Sequence, residues 1–452
     1  MTRRSTGRDL TILALLAALA YAPALALPLI EDDYPNLTYA LQHGAPAVIA
    51  GLLHDPIFRV RATSAWLMYG LWRVFGLAPG AFHAASLVLH VANCWLVYGI
   101  VGEIFGPRMD TDGHGYKSAR LIALSAAAFF AVYEGHQEAV MWFSACNELL
   151  AFLFGAGALL LWMRGRWVAS ATVFALALIS KESAVVWLAL FVAAAGIGAT
   201  GLGPGAGASW RAPRAVSLTA NGPKGRTFAW PLAPDPWARA YLLQLLPHVL
   251  LAAAAIAAVW MTRNYSFRFS DGSFSLDAPF WITWPRGLVR LMWPWGWAAL
   301  AAVLWLRVKK GWRRALLWMG IALLPYSFLT YSTQIPSRQT YLASAGLALL
   351  VGTGMAHLPD RRVLAVAVIV AVGVNVGYLW TRKRAQFVER ARPTEELIRL
   401  ANQTSGPIYV QCFPRNRLIA EEAVHIGAGK PPEMLRWESE TGAVTFCYQT
   451  SR

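Results

Sequence analysis

Residues 10–34 read LTILALLAALAYAPALALPLIEDDY, and the fold of the chain turns on how this stretch is read. The run from Leu10 to Ile30 carries no charge, and about 20 apolar residues suffice for a helix to cross a ~30 Å hydrocarbon core. Glu31, Asp32 and Asp33 follow directly. Three carboxylates at the mouth of a membrane helix are costly to hold there, so they point to function. A basic stretch precedes the run, as in a signal peptide, and small residues such as Ala24 and Ala26 stand near its end, but at this length the run reads as an uncleaved first span.

The rest of the chain agrees. Of its 452 residues 57% are hydrophobic and only 14% charged, a ratio that leaves a soluble protein too much apolar surface to hide. Eleven spans are expected, near residues 10–30, 82–104, 119–134, 147–163, 167–180, 183–199, 240–260, 284–306, 315–331, 340–357 and 362–380. The eighth is interrupted by Pro285, Arg286, Arg290 and Pro294. The fold class is an all-α polytopic membrane protein. A net charge of +16 reads as the basic excess of cytoplasmic loops rather than as nucleic-acid binding. With the N-terminus inside, the inner segments hold 20 Lys and Arg and the outer loops before the tail hold nine, which places the acidic motif outside. An odd number of spans puts the tail outside too, although Arg382-Lys383-Arg384 argues against that last crossing.

The expected domains are a membrane unit over residues 1–380 and a small extracytoplasmic one over 381–452. Residues 200–238, rich in Gly, Pro and Ala, read as a flexible cytoplasmic loop. The outer loop from Glu31 to about Gly80 contains two apolar stretches with helical spacing, which suit interfacial helices. In the tail, PIYVQCF (407–413) and AVTFCYQ (443–449) read as strands, with RLIAEEAVHI (417–426) as a helix between them. Cys412 and Cys447 share this tail and could bridge in an oxidising compartment.

Four blocks in order resemble a known family: FRVRATSAWLMYGLWRVFGLAPGAFHAASLVLHVANCWLVY (58–98), HQEAVMWFSACNELLAFLFGAGALLLW (136–162), ALALISKESAVVWLAL (175–190) and LLPYSFLTYSTQIPSRQTYLASAGLALL (323–350). They look like multispanning glycosyltransferases of the GT-C fold, closest to the protein O-mannosyltransferase-like branch with transmembrane and tetratricopeptide regions. No such helical repeat is present in this sequence. The resemblance implies an inverting transferase that moves a sugar from a polyprenyl-phosphate carrier to an outer acceptor. That acceptor would be a protein, a glycolipid or a cell-envelope polysaccharide.

Asp32 and Asp33 match the family's paired acids, whose first member is usually the general base; Glu31 reads as a bystander. Adjacent carboxylates repel, so their titrations are coupled and one pKa rises. Arg59 and Arg61 fall near the family's phosphate-contacting arginine, and an arginine fork suits phosphate oxygens. Lys181 and Glu182 form a short turn in which Lys181 would add a cation for the phosphate, or simply pair with its neighbour. Arg338 and Tyr341 match a Glu-Arg-x-x-Tyr block, with Ser337 in place of Glu. His136 and Glu138 resemble the family's His-x-Glu, to orient the acceptor or tune the aspartates, and Glu148 stands where Asp is usual. Two such ligands do not make a metal site, and no cofactor is expected. His83 and His90 read as core histidines, and Arg263, Arg268, Asp271 and Asp277 as a loop over the site. The rival reading is a transporter or flippase for a lipid-linked or anionic substrate; the charges lie at span ends rather than the midplane, and no inverted repeat is visible.

Overall fold

The apolar run that opens the chain forms α1 (Arg3–Tyr21), which a 3₁₀ segment extends to Ala26 where Pro23 can no longer donate to an α-helical ladder. The computed structural model describes residues 3–44, 47–105, 114–199, 236–263, 272–309, 311–330, 335–438 and 443–448. The expected cytoplasmic loop, apart from its last few residues, and Arg268 and Asp271 of the expected covering loop lie outside them.

The acidic motif leads into four short helices: α2 (Asp33–Gln42), α3 (Val48–His54), α4 (Pro56–Arg59) and α5 (Ala62–Phe75). Then come α6 (Pro79–Phe105), α7 (His114–Val132), α8 (Gln137–Met141), α9 (Cys146–Met163), α10 (Trp167–Leu178), α11 (Trp187–Ala199) and α12 (Pro236–Met261). They are followed by α13 (Phe280–Met292), α14 (Trp295–Trp305), α15 (Trp312–Leu323), α16 (Tyr341–Ala356) and α17 (Arg361–Tyr378). Each expected span has a helix or a pair of helices in place. By length and composition, five described segments can cross a membrane alone: Thr6–Ala26, Pro79–Phe105, Phe143–Met163, Leu243–Met261 and Arg361–Gln403. The interrupted eighth span is the pair α13 and α14, bent by 76° where Trp293-Pro294 breaks the ladder; counted as one span, it makes six. Three of the other expected spans are represented by shorter apolar helices, Ala119–Val132, Trp167–Leu178 and Glu182–Ala194.

The bundle is built around α16, whose residues Tyr341–Gly354 are all buried between α7, α14 and α15. Its sequence, YLASAGLALLVGTGMA, explains that position, because small side chains let helix backbones meet. A Cβ on Gly352 would lie 2.6 Å from the Ala126 backbone nitrogen of α7, and one on Gly346 would lie 2.8 Å from the Ala315 carbonyl of α15. At one end of the bundle Asp9, fully buried, accepts both arms of Arg120 at 2.8 and 2.7 Å and the Tyr98 hydroxyl at 2.9 Å. The acidic motif sits at the other end of α1.

From α17 the chain passes through a π-helical turn, Leu379–Lys383, into α18 (Arg384–Gln403). The basic cluster 382–384 therefore lies at a joint between two helices. The tail forms β1 (Ile408–Cys412), α19 (Arg417–Ala428), β2 (Leu435–Arg436) and β3 (Val444–Cys447), with the two strands and the helix where the sequence puts them. The sheet order is β2-β1-β3, parallel, with Ile408 opposite Leu435 and Val444. Ile408, Val410 and Phe446 pack against Leu397 of α18 and Val424 of α19, and a disulfide joins Cys412 to Cys447. This unit rests on the acidic motif's own helix: Ala423 shares a core with Leu29, Tyr34 and Leu37, and Thr38 donates to Glu422 at 2.6 Å.

Replacing Gly352 by Ala forces α7 and α16 apart and is expected to cost about 1–3 kcal/mol, read as a lower melting temperature in detergent. Gly373→Ala on α17, where an added Cβ meets nothing within 4 Å, should be neutral or stabilising.

Candidate active site

Asp33 is the first residue of α2 and only 2% exposed. One carboxylate oxygen accepts the Ile30 backbone N–H at 2.8 Å; the other accepts the Ser144 backbone N–H at 2.7 Å and the Ser144 hydroxyl at 2.6 Å. The side chain thus ties the turn after α1 to the turn before α9. Burial pushes its pKa up to about 7, against the pull of those three hydrogen bonds and with a further push from Asp32. Both Asp33 oxygens are engaged in these bonds.

Asp32 is placed differently. It occupies the N-cap position of α2, where an aspartate ordinarily accepts an N–H from the first turn, yet its side chain makes no capping bond. It is exposed to solvent. Surrounding protein still desolvates it enough to raise its pKa, helped by Glu31, while Arg338, Arg390 and Arg415 pull the other way. The arrangement is an accessible carboxylate without a capping bond, with three arginines near enough to bear on its charge.

Glu31, the third acid of the motif, is held by ion pairs. Its φ of 47° lies in the left-handed region that non-glycine residues rarely occupy, and the turn carries its side chain to two arginines. Arg390 of α18 grips it bidentately at 3.0 and 2.6 Å, and Arg415, between β1 and α19, adds a contact at 2.8 Å. The guanidinium groups of Arg390 and Arg338 both lie over the Trp142 ring, at 4.7 and 4.8 Å from its centroid. Glu138 accepts the Arg338 backbone N–H at 3.2 Å. Burial would raise the Glu138 pKa, but Arg338, Ser337 and Arg390 outweigh it and hold the carboxyl below its ordinary value.

A second charged cluster flanks the first. Lys181, 2% exposed, pairs with Glu148 in the first turn of α9, and the Tyr326 hydroxyl donates to the other Glu148 oxygen at 3.0 Å. Arg61 pairs with Glu182 at 3.0 Å, and Thr63 donates to Ser180 at 2.7 Å, fastening α5 to the turn after α10. Lys181 and Glu182 therefore pair outward with Glu148 and Arg61. Cys146, between the clusters, is within electrostatic reach of both Asp33 and Arg61. Five residues, Ser144 to Glu148, connect the two. A buried pair of this kind is strongly destabilising to break from one side, at ~3–5 kcal/mol, because the other charge is left alone.

Three expected site residues are engaged elsewhere. Arg59 donates to the carbonyls of Leu52 and Leu53 at 2.9 and 2.8 Å, closing the end of α3. His136 is fully buried, bonded to Ser344 at 2.5 Å and packed against Phe130 and Tyr341. Tyr341 is buried too, within 2.8 Å of His90 Nδ1. Both belong to the aromatic heart of the bundle. The core role expected for His83 and His90 is what the structure shows, since both are fully buried. Arg263 stacks on Trp260 at 4.8 Å. Among the described residues no three His, Cys, Asp or Glu gather as a metal-ligand group.

Sequence reasoning missed Arg390, Arg415, Trp142 and Ser144. Arg390 lies 359 residues from Glu31, and nothing local marks it. The one available signal was the expected tail domain itself, whose basic residues had to face something if it lay on the acidic side.

No protein-family model matches the chain, and neither does any curated protein. Its fold is similar to that of ArnT from Cupriavidus metallidurans bound to undecaprenyl phosphate, with a TM-score of 0.53 and 11% identity over 95% of this chain and 86% of that one. The apo state of the same protein gives 0.50 and 12%, over 95% and 85%. At such identity the likeness shows the fold alone: an all-α, GT-C-like polytopic membrane protein.

The two aspartates should separate under mutation. Asp33→Ala strands the buried donors of Ile30 and Ser144 at ~1–3 kcal/mol each and should lower the detergent melting temperature and the yield. Asp32→Ala, which strands nothing, should leave both within error of the parent protein.

Proposed function

We propose that this chain is a membrane glycosyltransferase that moves a sugar from a polyprenyl-phosphate-linked donor to an acceptor hydroxyl on the extracytoplasmic side. The observation that carries the reading is Asp32, an accessible carboxylate at a helix N-cap that caps nothing, with three arginines near enough to lower its pKa, at one end of a GT-C-like bundle. A solved structure of similar fold is bound to undecaprenyl phosphate, which supports a lipid phosphate as the donor's carrier. The sequence blocks resemble the O-mannosyltransferase-like branch and imply inversion at the sugar.

Such a reaction needs a base, a cationic cradle and access from lipid. Asp32 takes the acceptor's hydroxyl proton as that oxygen bonds to the anomeric carbon. The bond from this carbon to the phosphate oxygen breaks, and its electron pair leaves with the polyprenyl phosphate. Arg338, with its guanidinium stacked on Trp142, offsets the negative charge growing on that phosphate. Arg61 and Lys181 act one step further out, since both are already held by carboxylates. In this reading the acidic end faces outward, the N-terminus is cytoplasmic, residues 1–380 form the membrane enzyme and the tail domain stands over its mouth. The donor's prenyl chain stays in the outer leaflet, and the acceptor is a protein, glycolipid or polysaccharide hydroxyl.

Reconstituted into liposomes with lipid-linked sugars extracted from the native membrane, Asp32→Asn should lose transfer by about 10²–10⁴-fold while melting like the parent. Full activity in that variant removes Asp32 from the mechanism. Solute flux in the same liposomes without donor would instead mark a transporter.

The pH dependence has a definite sign. A base works as its carboxylate, so kcat/KM should fall with decreasing pH through the Asp32 pKa, which lies above the ordinary 3.8. Removing a cation raises that pKa further, so Arg338→Ala should move the acid limb to higher pH. An unmoved limb would show that Asp32 is not the titrating group.

A further inference from the structure

The tail domain lays an arginine beside Asp32, and the surroundings of that arginine suit a ligand better than a fastening. Arg390 and Arg415 share the single carboxylate of Glu31. Arg390 uses its fork fully: it is bidentate to Glu31 and stacked over Trp142 and Phe387. Arg415 reaches Glu31 through one nitrogen only, at 2.8 Å, and its side chain is 37% exposed. A guanidinium has five donors, so most of this one is still available to an anion.

The loop that carries Arg415 is short and held at both ends. The disulfide between Cys412 and Cys447 holds one side. On the other, Asn416 caps α19 by accepting the Leu418 N–H at 3.0 Å. Behind the loop, α19 is seated on α2 through Ala423 and through Thr38 and Glu422. The left-handed turn at Glu31 aims the opposing carboxylate at the same place. A flexible arginine loses rotamer freedom when it binds, and one held in advance loses less.

We infer that Arg415, supplied by the tail domain, is a ligand for the phosphate of the lipid-linked donor, with Glu31 holding it beside Asp32 until that phosphate arrives. The inference rests on the donor class proposed above. It makes the tail domain part of the substrate site: a phosphate oxygen would accept from the nitrogens Glu31 leaves free, while Arg390 keeps Glu31 neutralised.

The test is binding of undecaprenyl phosphate, and of undecaprenol as the uncharged control, to the full-length protein in lipid nanodiscs. The parent protein should prefer the phosphate. Arg415→Ala should weaken phosphate binding about tenfold or more, the scale of one charge-assisted hydrogen bond, and leave undecaprenol unchanged. Arg415→Lys should retain part of the preference. Arg417→Ala removes the same charge two residues away, where Arg417 pairs with Glu421 at 2.7 Å, and should bind both lipids like the parent.

Each other outcome has a distinct meaning. If the parent protein fails to prefer the phosphate, the donor class is wrong and the inference falls with it. If the parent prefers the phosphate and Arg415→Ala does so equally, the donor class stands and Arg415 is only a fastener. A fall in melting temperature with equal loss for both lipids would also assign Arg415 to holding the tail.

Discussion

A buried carboxylate that accepts three hydrogen bonds organises the charged end of this protein. Asp33 fixes the turn after the first span by binding Ile30 and fixes the turn before α9 by binding Ser144. Both turns also bury apolar side chains, Ile30 in one and Phe143 in the other, and backbone N–H groups buried there without partners would be costly. The Asp33 carboxylate satisfies these donors itself, while its neighbour Asp32 makes no capping bond and stays exposed.

The same logic sorts the cations. Each cation has its own set of partners. Arg59 donates to carbonyls of α3, Lys181 pairs with Glu148, and Arg61 pairs with Glu182 while one buried guanidinium nitrogen keeps no hydrogen-bond partner. Arg338 stacks over an aromatic ring, and Arg415 touches Glu31 through a single nitrogen. Charge alone does not distinguish these arrangements, whereas the pairing pattern does.

The tail domain and the acidic motif also build each other. Glu31 sits in a backbone conformation that costs about 1–3 kcal/mol, and its ion pairs with Arg390 and Arg415 help to hold it there. In turn, the tail is oriented by those pairs and by the packing of Ala423 against Leu37. A unit that looked separable in sequence is joined to the membrane helices through α18 and completes the charged face from above.

Composition and the spacing of apolar runs determined the membrane class, the positions of the helices and the strand-helix-strand pattern of the tail, because these depend on local hydrophobicity and period. The broken eighth span was also legible, since prolines interrupt it. The acidic motif could be singled out from cost alone. Only the tertiary structure decided which carboxylate is tied down, which cations are consumed, and that His136 and Tyr341 face the bundle's centre. Those outcomes depend on partners hundreds of residues away, as Arg390 is from Glu31. A side chain's freedom is set by what folding places against it, and no local pattern carries that information.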